Sequence, residues 1–61
     1  MFAIGDRVEV IKDNRFTLEE GDKGIIIDEF ELEGVKAYRV KVEGKPNYAN
    51  LTSEFSIKLV E

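Results

Sequence analysis

Cysteine, histidine and tryptophan are absent from this chain. Without Cys there is no disulfide, no thiolate zinc site and no thiol nucleophile. Without His the commonest general base and metal ligand is missing. Without Trp a ligand groove built on tryptophan is excluded. No apolar run approaches the roughly 20 residues of a membrane-spanning helix, so no membrane partner is expected. The opening Met1-Phe2-Ala3-Ile4-Gly5-Asp6 is too short and too soon acidic for a secretory signal, and a cytoplasmic protein is expected.

Positive charge is the scarcer sign. Nine Lys and Arg stand against thirteen Asp and Glu, for a net charge of −4. Such a balance repels phosphate backbones, which disfavours a nucleic-acid partner unless the cations gather on one face. The 61 residues suffice for one domain, residues 1–61, with a small core. Nearly every large apolar residue is then needed inside, and a deep enzyme pocket is hard to fit.

What is present is β-rich and punctuated by turn residues. Arg7 to Lys12 alternates charged and apolar residues, which predicts a half-buried strand with Val8 and Val10 inward. Asp13 to Asp22 is a polar loop carrying Arg15, Phe16 and Leu18, long for so small a domain and therefore a candidate functional segment. A second strand is predicted over Gly24 to Phe30 and a third over Val35 to Glu43. In the third, Tyr38, Val40 and Val42 share one face, with Arg39 and Lys41 on the other. Tyr48 to Leu51 reads as a short fourth strand. Thr52-Ser53-Glu54-Phe55 reads as one helical turn capped by Thr52 or Ser53, and Ser56 to Val60 as the closing strand. Five short strands at this turn density predict an all-β barrel, since closure leaves no edge exposed.

The segments Gly5-Asp6-Arg7-Val8-Glu9-Val10 and Gly21-Asp22-Lys23-Gly24-Ile25-Ile26 resemble the opening of SH3-like and KOW-type barrels. Asn47-Tyr48 with Glu54-Phe55-Ser56-Ile57 is similar to the end of the photosystem I reaction-centre subunit IV barrel, a docking subunit without an active site. Tyr38 to Val42 matches its third strand in outline. The resemblance implies a five-stranded SH3-like barrel with a helical turn before the last strand. It departs from the photosystem subunit and from RNA-binding KOW modules in being acidic. Gly5-Asp6-Arg7-Val8 also resembles the opening of type II dihydrofolate reductase, but Tyr48-Ala49-Asn50-Leu51 does not match that enzyme's active-site strand.

Ile25, Ile26 and Ile27 cannot all face one interior, because successive strand residues point to opposite sides. Two registers are open for the following hairpin. A two-residue turn at Glu33-Gly34 sets Glu31 against Lys36, Asp28 against Arg39 and Ile27 against Val40, but forces Glu33 to positive φ. A three-residue loop, Leu32-Glu33-Gly34, needs only Gly34 left-handed and pairs Ile26 with Val40. The second is preferred, and it leaves Ile25, Ile27, Arg39 and Lys41 as an outer strip. Three readings of that strip compete: the Asp13–Asp22 loop covers it through Phe16 or Leu18, a partner docks there, or it is a homodimer seam.

Asp28, Glu29, Glu31 and Glu33 form an acidic rim. It matches no calcium-loop spacing and reads first as a solvated face, with imitation of nucleic-acid phosphates as the sharper alternative. Among the aromatics, Tyr38 and Phe55 read as core and Phe30 as a candidate for it, while Phe16 and Tyr48 are candidates for exposure. The expectation is a non-enzymatic docking or regulatory module, a monomer or weak homodimer. It needs no cofactor or metal and binds a protein partner through Arg15, Phe16, Ile25, Ile27, Arg39, Lys41 and Tyr48. The alternative class is a KOW-like nucleic-acid-binding barrel.

Overall fold

A computed structural model describes residues 2–14, 17–45 and 51–60. The predicted all-β character holds. Strands β1 (Arg7–Val10), β2 (Lys23–Leu32), β3 (Val35–Val42), β4 (Leu51–Ser53) and β5 (Ile57–Leu59) form one antiparallel sheet in the order β4-β3-β2-β1-β5. A single 3-10 turn, Glu54–Ser56, joins β4 to β5. The sheet is not closed among the described residues, with β4 and β5 at its two ends. The fourth strand was expected over Tyr48 to Leu51; its described part is Leu51–Ser53, and residues 48–50 lie outside the described residues.

One side of the sheet holds the core. Val8, Val10, Ile26, Tyr38, Val40, Val42 and Ile57 come from the strands and Leu18 from the loop. Phe2 meets Tyr38 edge-on, ring centres 5.5 Å apart, a favoured aromatic geometry. Gly24 lies on this inner side of β2, opposite Val8 and Val42. Phe55 is not core: it is 73% exposed, because the 3-10 turn buries none of its residues and Ile57 takes the inward position after it. Ser53 precedes that turn without a side-chain cap to the backbone; its Oγ lies 3.3 Å from Ser56 Oγ instead.

The β2–β3 hairpin combines the two registers. Its tip is the two-residue turn, with Glu33 at φ 51° and Gly34 at φ 81°, the sign pattern of a type I′ turn. Leu32 pairs with Val35, Glu31 with Lys36, Phe30 with Ala37 and Asp28 with Arg39. Below Asp28 the register shifts by one, and Ile26 pairs with Val40 and Ile25 with Lys41. Ile27 is the extra residue of a β-bulge between them. The three-residue loop is thus corrected: the tip forms the tighter turn, and the bulge restores Ile26 to the core. Glu33 bears the cost of a left-handed L-residue. Glu33→Asn is expected to raise stability by about 0.5–1 kcal/mol. A urea midpoint unchanged from the parent would show that the turn relaxes at no cost.

The bulge also exchanges faces along β2. Below it Gly24 and Ile26 point inward; above it Glu29 and Glu31 occupy the inward parity, opposite Tyr38 and Lys36. Tyr38 still enters the core from β3, but this part of β2 and the hairpin tip run past it, and Lys36 Nζ bonds Glu29 Oε1 at 3.1 Å and lies 3.9 Å from Glu31 Oε1. Phe30 and Leu32 are carried to the outer face, so the core role considered for Phe30 is not realised.

Candidate functional site

The outer face follows from strand parity and pairing. Lys58, Glu9 and Lys23 form a row across β5, β1 and β2, and Arg7, Ile25 and Lys41 a row across β1, β2 and β3. Beyond the bulge, Asp28, Arg39 and Leu51 form the next row, followed by Phe30, Ala37 and Ser53, and then Leu32 with Val35. The face is therefore cationic towards β5 and apolar towards β4, with Arg39 at the junction.

Two concavities lie along it. One, of about 300 Å³, is bordered by Arg7, Lys23, Ile25 and Glu43. The other, of about 430 Å³, crosses β2, β3 and β4 between Phe30, Leu32, Ala37, Arg39 and Leu51. In it Leu32 is 66% and Leu51 42% exposed. The Arg39 guanidinium carbon stands 5.5 Å from the Phe30 ring centre, within cation–π range. Its Nη1 reaches Asp28 Oδ2 only at 3.8 Å, while its Nε is sheltered from solvent and has no hydrogen-bond partner. A sheltered N–H without an acceptor is costly, and here it borders an open groove.

Four of the predicted site residues, Ile25, Ile27, Arg39 and Lys41, are partly or fully exposed in the structure. Ile25 is 42% and Ile27 38% exposed, although Ile27 sits in the bulge rather than opposite Arg39. Arg15, Phe16 and Tyr48 lie outside the described residues. The loop does not lay Leu18 over the strip. Leu18 enters the core instead and is almost fully buried. Asn14 organises that entry: its Oδ1 accepts the Leu18 N–H at 3.0 Å, and its Nδ2 donates to the Leu51 carbonyl at 3.0 Å. Lys45 Nζ fastens the other end, donating to the Thr17 carbonyl and to Asp22 Oδ2, both at 2.6 Å. That bond holds the Asp22 carboxyl below the usual carboxylate range and the Lys45 ammonium above the usual amine range.

The acidic rim is not a bare row of carboxylates. Lys36 ties Glu29 and Glu31, which raises its own ammonium above the ordinary value, chiefly through the hydrogen bond to Glu29. Among the described residues no group of three or more carboxylates is placed to hold a metal. No described helix is long and apolar enough to cross a membrane. Nor do the described aromatics pave a common groove: Tyr38 is buried under Phe2, Phe55 stands on the 3-10 turn, and Phe30 alone reaches the outer face.

Sequence reading missed Phe30, Leu32, Leu51, Arg7 and Lys23 as parts of one surface. The cations carried a signal: residues 7, 23, 39 and 41 all hold the outward parity of their strands. The apolar members carried none, because the bulge that turns Phe30 and Leu32 outward has no Gly or Pro to mark it. Comparison of the chain with protein-family models, with curated proteins and with solved structures finds no match.

Proposed function

We propose that the chain is a non-enzymatic interaction module of the SH3-like kind, which docks a protein partner through the outer face of β2, β3 and β4. The fold part of this reading is supported by five antiparallel strands with a 3-10 turn before the last one. The docking part is carried by one observation: the open apolar groove with Arg39 on its border. Aromatic and Arg side chains beside aliphatic ones are the composition of interface anchors. An aliphatic side chain fully buried there gains roughly 1.5–3 kcal/mol. Among the described residues Arg39 is the groove's sole titratable side chain, which suits recognition better than acid–base chemistry, where a proton donor and acceptor must be paired.

A random peptide library displayed against the immobilised protein tests this. Peptides bearing aliphatic anchors are expected to be enriched. Leu51→Lys, on an exposed strand position, is expected to weaken them at least tenfold, about 1.4 kcal/mol, with the circular dichroism spectrum unchanged. No enrichment, or peptides indifferent to Leu51→Lys, would refute docking at this groove.

A further inference from the structure

We propose that the segment docking on this face is acidic as well as apolar. Its aliphatic side chains enter the Phe30–Leu51 groove, and its carboxylates lie along Arg39, Lys41 and Arg7. This deepens the docking reading above and rests on it.

The argument begins with charge segregation. Arg7, Lys23, Arg39, Lys41 and Lys58 are five of the chain's nine cations, and all share the outer face. Among the described residues only Glu9 and Asp28 accompany them there, with Glu43 at the margin of the smaller concavity. A chain of net charge −4 thus presents one cationic surface, and the carboxylate excess lies elsewhere. The molecule's shortest principal extent is 18 Å, about twice the Debye length of roughly 8 Å at physiological salt. Exposed charges on opposite faces are therefore largely screened from each other, and a ligand at this surface meets mainly the local cations.

The second observation is Arg39. Its Nε has no acceptor and its ion pair with Asp28 is loose. A carboxylate arriving at the groove border meets the accessible part of the partly exposed Arg39 side chain and gains a charge-assisted hydrogen bond there. From Lys41 across Ile25 to Arg7 the row spans three strands, about 10 Å. An extended segment covers that distance in about three residues, so acidic positions two apart, which share one side of the segment, match the cationic row, and aliphatic positions of the same parity reach the groove.

Nucleic acid is the competing polyanion. Single strands are held by stacking bases on aromatic faces as well as by cations. On this face the described residues offer one aromatic, Phe30, whose ring lies beside the Arg39 guanidinium. Apart from Thr52 and Ser53 on β4, the rest of the groove's described lining is aliphatic, which fits Leu-like side chains better than bases.

The peptides selected by display supply the probes. Each is synthesised as selected and with every Asp and Glu replaced by Gln, and titrated at 50 and 300 mM salt beside a 12-nucleotide single-stranded DNA. The variants are Leu51→Lys and the double reversal Arg7→Glu/Lys41→Glu. Acidic residues are expected to be enriched beside the aliphatic anchors. The Gln peptides and the double reversal are each expected to weaken binding at least tenfold, and high salt several-fold. If Gln peptides bind as well and the reversal changes nothing while Leu51→Lys abolishes binding, acidity is refuted and docking stands. If the oligonucleotide binds more tightly, with steep salt dependence, and is lost on reversal but not on Leu51→Lys, the surface is a nucleic-acid face and the inference falls. If no peptide binds but the protein self-associates in sedimentation, and reversal abolishes that, the occupant is the acidic hairpin of a second copy and the inference again falls.

Discussion

Leu18→Ala is expected to destabilise the protein by about 2–4 kcal/mol, as much as truncating a strand residue of the core. Leu18 belongs to a long polar loop, where a substitution would ordinarily cost little. Its side chain is nevertheless almost fully buried, with Val8, Val10, Ile26 and Tyr38 in the same cluster. Collapse around the missing methyls is limited, because Asn14 holds the Leu18 backbone through two hydrogen bonds and Lys45 holds the Thr17 carbonyl. A 61-residue domain has only roughly 3–9 kcal/mol to lose, so much of its stability hangs on this residue. Urea titration reads the change as a shift in midpoint at constant slope. A loss below about 1 kcal/mol would mean that the loop is not part of the core.

Gly24→Ala is expected to cost about 2–3 kcal/mol or more, although it adds a single carbon. Gly24 occupies the inner parity of the central strand, paired with Val8 on one side and Val42 on the other. A Cβ there would collide with the Lys41 carbonyl and come within 2.8 Å of Val40 Cγ1. The carbonyl belongs to β3 and cannot rotate away without breaking the ladder, unlike the end of a flexible side chain. The methyl must therefore separate β2 from β3 beside the buried Val40. Thermal unfolding and the dispersion of backbone amide resonances report the outcome. A variant as stable as the parent would show that β3 stands further off than the close approach implies.

Much of the fold was legible because period-two alternation is hard to imitate. Val8 and Val10, and Tyr38, Val40 and Val42, identify their own faces, and the turns fall where Gly and polar residues cluster. Side-chain parity also placed Arg39 and Lys41 outside. Three things were hidden. The bulge at Ile27 rests on a balance between the tight turn and the burial of Ile26, which no local signal records. Leu18 in a polar loop gives no sign of which side it will pack on. Phe55 looks like a core residue by type, yet it falls on a one-turn helix too short to bury a face. The candidate site inherited these gaps: its cations were readable one strand at a time, while its apolar half depended on the bulge.

The single unpaired residue at position 27 has a consequence for how this surface changes over time. Sheet proteins are ordinarily constrained because a strand that feeds the interior must keep one rhythm along its whole length. Here the rhythm restarts halfway along β2. The distal half of β2 is thereby released from the interior's requirements, and its composition can drift towards a new binding preference while the proximal half, with Tyr38 on β3, continues to hold the molecule together.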